Sequence, residues 1–201
     1  MTGAELLASL GAAAIVLFVP GPTNTLLAAA GALAPHRPPL ALPVAELAGY
    51  LVSVTLLNLF GSALFEAAPI VAPLVRLGLA AYLVAIGCCL WRAPADDLPA
   101  RTVGWRRIFV ATLLNPKAAV FALVLMPTGA DGRLAWMAGF SLLVLAAGTA
   151  WLAAGHRLAR HGGPAVAIWV PRAATIVLVG FAAVLGAGAV ASLGRTLGAL
   201  V

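Results

Sequence analysis

Charged residues are scarce in this chain of 201 residues. They make up 9% of the sequence, against roughly 25% in soluble domains, and hydrophobic residues make up 63%. Lys117 is the one lysine, and no stretch is polar enough to form a separate soluble domain. The shortage of charge excludes an ordinary soluble protein. It favours an integral membrane protein, in which the 21 glycines would let helices pack closely.

The chain also offers little for redox or metal chemistry. Its two cysteines, Cys88 and Cys89, are adjacent, and neighbouring residues on a helix point about 100° apart, so they cannot easily form a disulfide. The three histidines, His36, His156 and His161, fall in predicted loops without metal-ligand spacing. We therefore predict no metal, no cofactor and no enzymatic activity. The absence of base-stacking aromatics beside basic patches predicts no nucleic-acid partner.

Two proline motifs interrupt the apolar sequence, one in each half of the chain. They are Pro20-Gly21-Pro22 and Asn115-Pro116-Lys117. Proline inside a helix removes a backbone donor and clashes with the preceding turn. Bilayer hydrocarbon cannot satisfy the freed carbonyls, so such breaks survive only inside protein or beside a wet cavity. Matched breaks in two halves of a hydrophobic chain are typical of the binding site of a secondary transporter.

The apolar runs predict six membrane spans. The first and fourth of these contain the proline motifs and are expected to be broken there. A connector at 156–172 and turns at 36–39, 67–73 and 127–133 are predicted between spans. The spans are expected at about 4–34, 40–65, 74–91, 108–126, 134–155 and 173–193.

Three spans in each half require the second half to cross the membrane in the opposite sense. The sequence therefore predicts one all-α transmembrane domain over 1–201, built of two inverted three-helix repeats. The first repeat covers about 1–91, a cytoplasmic loop covers 92–107, and the second repeat covers about 108–201. This repeat is a geometric inference, because the halves share little identity beyond the proline positions.

The arginines predict the orientation. Eight lie in the loops after spans one, three and five, and three lie on the other side, which places the first group in the cytoplasm and both termini outside. The cytoplasmic group is Arg37, Arg92, Arg101, Arg106, Arg107, Arg157, Arg160 and Arg172, and the outer group is Arg76, Arg133 and Arg195.

The motifs resemble those of the LysE/RhtB family of bacterial amino-acid exporters over nearly the whole chain. The resemblance implies a multi-pass inner-membrane exporter of amino acids or related small metabolites, driven by protons and in contact with lipid, and it leaves a homodimer open. The residues that carry it are Phe18-Val19-Pro20-Gly21-Pro22-Thr23-Asn24, Ala81-Tyr82-Leu83, Gly87, Leu114-Asn115-Pro116-Lys117-Ala118, Phe121 and Pro127.

Two charged residues, Lys117 and Glu46, lie inside predicted spans well away from the span ends. Lys117 is expected to bind a substrate carboxylate or to pair with an acid; the alternative is that it snorkels to an interface. Glu46 shares a helix face with Tyr50 and is the candidate for proton coupling; the alternative is an interfacial carboxylate paired with Arg37. Charged groups at this depth are costly, which is why we expect them to have a function.

Asn24 and Asn115 follow the breaks closely, and Thr23 lies beside Asn24. Their side chains, with the unwound backbone at Pro20, Gly21, Pro22 and Pro116, are predicted to line the substrate site. The asparagines are equally suited to capping the half-helices, and the two roles are compatible. The alternative function is a membrane protein without transport, either an electron carrier using the cysteines or a scaffold subunit.

Overall fold

The structure is a computed structural model that describes residues 2–34, 38–68, 70–92, 103–127 and 130–198. Within these ranges the chain folds into helices and forms no strand. Four helices are long and apolar enough to cross a membrane, and up to six spans result if each of two bent helix pairs counts as one. The protein is therefore all-helical, and its helices are consistent with a multi-pass membrane protein.

Eight α-helices and one π-helical segment account for most of the described residues. The π-helical segment, Phe121–Leu125, directly continues α6. The α-helices are α1 Gly3–Phe18, α2 Pro22–Ala32, α3 Ala41–Ala67, α4 Val71–Arg92, α5 Trp105–Leu113, α6 Lys117–Val120, α7 Ala130–His161 and α8 Gly163–Gly198.

The two bent pairs lie at the two proline motifs, as the sequence predicts. α1 and α2 are bent by 57° at the Pro20–Pro22 motif, and α5 and the α6–π segment are bent by 53° at Asn115-Pro116. Proline has no N–H group, so the i to i−4 ladder stops at both places. Pro22 then takes the first position of α2, where its missing donor costs nothing.

The predicted boundaries at 127–133 and 156–172 are wrong. α7 already begins at Ala130, and it continues to His161 before α8 starts at Gly163. Arg157 and Arg160 lie on this helical extension. A 32-residue helix is about 48 Å long, so polar residues at its end can continue the helix beyond a hydrocarbon core of roughly 30 Å. Residues 35–37 and 93–102, which hold Arg37, Arg101 and most of the predicted cytoplasmic loop, lie outside the described residues.

The helices pack in a few extensive pairs. α4 packs along α8, both α1 and α2 pack on α7, and α3 packs on α5 and on the π-helical segment. One buried apolar cluster joins α2, α4, α5 and α8, and a second joins α1, the π-helical segment and α7. α2 therefore lies in the interior of the bundle, whereas most of α1 is exposed.

The outer faces of the long helices are apolar. Leu142 of α7 is 70% exposed, and Val184 of α8 is 72% exposed, together with many other leucines and valines. Apolar surface on this scale is unusual for a soluble monomer. It is the surface expected of helices whose surroundings are lipid.

Glycines bring α2 and α7 into backbone contact. A Cβ atom at Gly31 would overlap the carbonyl oxygen of Leu152, and one at Gly155 would overlap the carbonyl oxygen of Ala28. Backbone atoms cannot move aside as a flexible side chain can. The pair of glycines therefore sets how closely the first broken span approaches α7.

We expect Gly155→Ala to lower the free energy of unfolding by about 1–3 kcal/mol, because the added methyl group meets backbone. Gly180→Ala is the matched control, since a Cβ atom at Gly180 meets nothing within 4 Å. Denaturant unfolding of the detergent-solubilised variants measures both. Equal stability of Gly155→Ala and the parent protein would contradict this close contact.

Candidate functional site

The first break frees backbone carbonyl groups that Asn24 satisfies. Its side-chain Nδ2 donates to the carbonyl oxygens of Leu17 at 2.7 Å and of Val19 at 2.9 Å. Both carbonyls lie at the end of α1, where the next helical N–H groups are missing. Asn24 is 4% exposed. The side-chain amide of Asn24, on α2, therefore satisfies the carbonyl groups that the break leaves without helical partners.

The second break is closed in a related way by Asn115. Its Oδ1 accepts a hydrogen bond from the backbone N–H of Lys117 at 3.0 Å, and its backbone carbonyl accepts from Ala118 at 2.9 Å. An asparagine that binds the backbone two residues ahead is a common start for a turn or helix. Asn115 thus starts α6 immediately after α5 has ended.

A buried polar group connects the two breaks. Asn115 Nδ2 donates to Thr23 Oγ1 at 3.1 Å and to the Tyr50 hydroxyl at 3.3 Å. Thr112 Oγ1 lies 3.4 Å from Thr23 Oγ1 and also donates to the carbonyl of Ile108 at 2.8 Å. Thr23 lies on α2, Tyr50 on α3 and Thr112 on α5, Asn115 lies in the second break, and all four side chains are buried. We call Thr23, Tyr50, Thr112 and Asn115 the junction cluster.

Lys117 crosses from the second break to the first. Its Nζ donates to the carbonyl oxygen of Val19 at 2.7 Å. A Cβ atom at Gly21 would lie 3.1 Å from both Nζ and Cε of Lys117, so a glycine at this position leaves room for the side chain. Lys117 is only partly buried, and Val19, Pro20 and Pro116 beside it are exposed. The ammonium group is therefore at the open edge of the junction.

Glu46 lies deeper. It is 2% exposed, and its carboxyl group faces Gly148 of α7, where a Cβ atom would collide with Oε2. Among the described residues, Oε2 has no hydrogen-bond partner. Glu46 lies close enough to Lys117 and Tyr50 to interact electrostatically with both. A charged carboxylate that is buried without a hydrogen-bond partner is costly. Binding or losing a proton at Glu46 therefore changes the free energy of the protein strongly.

The predicted site residues thus fall into two groups. Gly21, Pro22, Thr23, Asn24, Glu46, Tyr50 and Asn115 are buried, whereas Pro20 and Pro116 are exposed and Lys117 is intermediate. Thr23, Tyr50, Asn115, Lys117 and Asn24 are joined through hydrogen bonds to one another or to the breaks. Glu46 has no hydrogen bond to this group through Oε2. Arg37, its predicted alternative partner, lies outside the described residues.

Several residues of this region were not predicted from the sequence. Trp136 Nε1 donates to Ser9 Oγ at 2.8 Å, and Ser9 Oγ donates to the carbonyl of Leu125, the last residue of the π-helical segment, at 2.6 Å. Asn58 Nδ2 donates to the Ala122 carbonyl at 3.3 Å. Side chains of α1 and α3 therefore bind carbonyls of the π-helical segment, Trp136 of α7 binds Ser9, and no local sequence signal indicates this arrangement.

Aromatic rings pack around the Tyr50 side of the junction cluster. The rings of Phe121 and Phe140 meet the Tyr50 ring edge-on, with centroids 5.4 and 5.8 Å away. Trp136 stacks on Phe140 at 4.8 Å. This apolar wall keeps the Tyr50 hydroxyl directed towards Asn115.

The cysteines and the metal-ligating side chains lie apart from this arrangement. Cys88 and Cys89 are both exposed on α4 and are not bonded to each other. Within the described residues, no three His, Cys, Asp or Glu side chains are grouped so as to hold a metal ion.

The chain matches no family model, no curated protein and no solved structure. The resemblance to LysE/RhtB exporters therefore rests on the sequence motifs alone.

We expect Asn115→Ala to lower the free energy of unfolding by about 1–3 kcal/mol, because Thr23, Tyr50 and the Lys117 N–H lose their common partner. Tyr50→Phe removes a single contact and is expected to cost less. Denaturant unfolding in detergent ranks the two variants. A larger cost for Tyr50→Phe would contradict the central position of Asn115.

Proposed function

We propose that this protein is a secondary-active exporter of amino acids or related small metabolites across the bacterial inner membrane, coupled to protons. The observation that carries the proposal is the junction of the two broken spans, where buried polar side chains of three spans converge beside the single lysine. Irregular backbone at membrane depth is tolerated where it is enclosed by protein or lines a cavity. Transporters use such half-helix ends to hold the charged groups of their substrates.

The packing is compatible with two inverted three-helix repeats. In such a repeat, α1 and α2 correspond to α5, α6 and the π-helical segment, and α3 and α4 correspond to α7 and α8. The contact of α1 and α2 with α7 then corresponds to the contact of α5, α6 and the π-helical segment with α3, and both contacts exist. The α4–α8 and α3–α7 pairs each join two corresponding helices, as expected at a twofold axis, and both contacts exist as well. These reciprocal contacts support a repeat over 1–91 and 108–201 that places the two breaks at its centre.

Each site residue has a role in this proposal. The Lys117 ammonium holds the carboxylate of the substrate, and Thr23, Tyr50 and Asn115 supply neutral hydrogen-bonding groups. The backbone at Pro20, Gly21 and Pro116, together with Pro22 at the start of α2, forms the remaining wall, with Asn24 keeping the first break in place. Glu46 carries the coupled proton, since its carboxyl can alternate between charged and neutral forms.

The orientation remains part of the proposal. Arg92, Arg106, Arg107, Arg157 and Arg160 lie at the ends of α4, α5 and α7 and give one side of the bundle its excess of positive charge. By the positive-inside rule this side is cytoplasmic, and both termini are then periplasmic.

The electron-carrier alternative has less support. It needs two cysteines facing each other at the junction, whereas Cys88 and Cys89 share one exposed region of α4. A scaffold subunit would not require the buried polar side chains at the junction. A counterflow screen with purified protein in proteoliposomes, across amino acids and polyamines, tests the proposal. Absence of counterflow with every compound would remove it.

We expect Lys117→Ala to reduce export by about tenfold or more while the protein stays folded, because a hydrogen bond to a charged group is lost at the substrate. Lys117→Arg should restore export only in part, because the larger guanidinium does not fit beside Gly21. The measurement is substrate uptake into inverted vesicles. Arg195→Ala, at the exposed end of α8, is the control and should export normally. Normal export by Lys117→Ala would contradict the proposed site.

We expect Glu46→Gln to remove most of the acceleration that an imposed proton gradient gives to export, while exchange without a gradient is less affected. The reason is that an amide cannot alternate between a charged and a neutral form. The matched control is Glu5→Gln, at the exposed N-terminus of α1. Gradient dependence equal to that of the parent protein in Glu46→Gln would assign proton coupling elsewhere.

A further inference from the structure

We infer that Lys117 is a two-position side chain and that Asn24 is the residue that lets it move. In the position observed, the ammonium group is held by the Val19 carbonyl. In the second position, it binds the carboxylate of a ligand, and Asn24 alone holds the Val19 carbonyl. The inference rests on the proposed function and deepens it, because it names the backbone group that competes with the substrate for the lysine.

The Val19 carbonyl oxygen accepts two hydrogen bonds. One comes from Lys117 Nζ at 2.7 Å and the other from Asn24 Nδ2 at 2.9 Å. A carbonyl oxygen has two lone pairs, so both donors can bind at once. Leaving such an acceptor with no donor is costly, whereas leaving it with one is not. Asn24 therefore makes the departure of Lys117 inexpensive.

The ammonium group has spare capacity and an open side. It carries three N–H donors, and within the described residues the Val19 carbonyl is its one hydrogen-bond acceptor. Val19 is 49% exposed, and Pro20 and Pro116 next to it are also exposed. A ligand can therefore reach the ammonium without any rearrangement of the buried junction cluster.

The surroundings favour an anionic group as that ligand. α2 begins at Pro22, directly after Gly21, where a Cβ atom would lie 3.1 Å from the Lys117 ammonium. The N-terminal end of a helix carries a partial positive charge and attracts carboxylates. Lys117 thus brings an ammonium group to an exposed place beside the buried start of α2, and among the described residues no acidic side chain is hydrogen-bonded to it. A carboxylate fits this place and an ammonium group does not.

The single lysine permits a direct test. The rate of reductive methylation of Lys117, measured by mass spectrometry against the α-amino group of the same chain, reports how often its amine is free. In Asn24→Ala the Val19 carbonyl depends on Lys117 alone, so we expect methylation to slow by about tenfold. Asn58→Ala is the matched control, because Asn58 also donates to a backbone carbonyl of a broken span but does not contact Lys117. Its rate should equal that of the parent protein.

A second variant moves the lysine in the opposite direction. Gly21→Ala places a methyl group 3.1 Å from Cε and Nζ of Lys117, and the flexible side chain can give way without unfolding the protein. We expect methylation to become several-fold faster. An unchanged rate in Gly21→Ala, or an unchanged or faster rate in Asn24→Ala, would overturn the two-position side chain.

Sodium acetate is the probe for the carboxylate position. Acetate should protect Lys117 from methylation in the parent protein, compared with sodium chloride at equal ionic strength, and should protect it less in Asn24→Ala. Absence of protection in the parent protein would overturn the carboxylate position. None of these measurements needs transport. If the protein exports substrate but the variants leave the methylation rates unchanged, the proposed function stands and the inference fails. If the methylation rates change as expected but no export is found, the proposed function fails and the two-position side chain stands.

Discussion

The structure depends on satisfying the backbone groups that two helix breaks set free. Proline removes the donors that would continue each helix, and a membrane interior supplies no water in their place. Asn24 returns two donors to the end of α1, and Asn115 returns an acceptor to the start of α6. An unpaired backbone group at this depth costs several kcal/mol by rough estimate. Without these two amides, each break would destabilise the bundle.

The same constraint explains the close helix contacts around the breaks. The side chains that repair the breaks are short, so the helices that carry them must approach one another closely. A Cβ atom at Gly49 would lie 2.8 Å from Thr112 Cβ and 2.9 Å from the Phe109 carbonyl, so this glycine lets α3 approach α5. Tyr50, the next residue, can then reach Asn115. The abundant glycines and the polar junction are thus parts of one arrangement.

The breaks were predictable because proline acts through its own covalent structure, whatever surrounds it. The sequence also indicated that Asn24 and Asn115 are suited to capping the half-helices, and both bind backbone groups at the breaks. The π-helical segment was not predictable, because its carbonyls are held by Ser9 and Asn58 from distant helices. Likewise, nothing local indicates that Lys117 reaches the Val19 carbonyl. That contact exists only because the folded bundle brings the two breaks together.

The length of α7 shows a different limit. The polar residues after Gly155 indicate where a membrane span ends, and we equated the end of the span with the end of the helix. Backbone hydrogen bonding does not require lipid, and the stretch from His156 to His161 contains no proline or glycine, so the helix continues to the Gly162-Gly163 pair. Hydropathy predicts the membrane boundary, whereas only a change in backbone propensity predicts the helix boundary.

The arrangement of Glu46 and Lys117 indicates how a change of charge at Glu46 could affect the groups around Lys117. Glu46 interacts electrostatically with Tyr50, Tyr50 accepts from Asn115, and Asn115 binds both Thr23 after the first break and the N–H of Lys117 after the second. A change of charge at Glu46 acts on Lys117 and also on the Tyr50 hydroxyl, which accepts from Asn115. Among the described residues, Asn115 is the one side chain with hydrogen bonds to residues at both breaks, so a shift in its amide alters the support of both half-helices together. Coupling energies from double-mutant cycles measure how strongly such connected side chains affect one another. Under the proposed function, a change at Glu46 can therefore reach Lys117 both directly, through their electrostatic interaction, and through the hydrogen bonds of Tyr50 and Asn115.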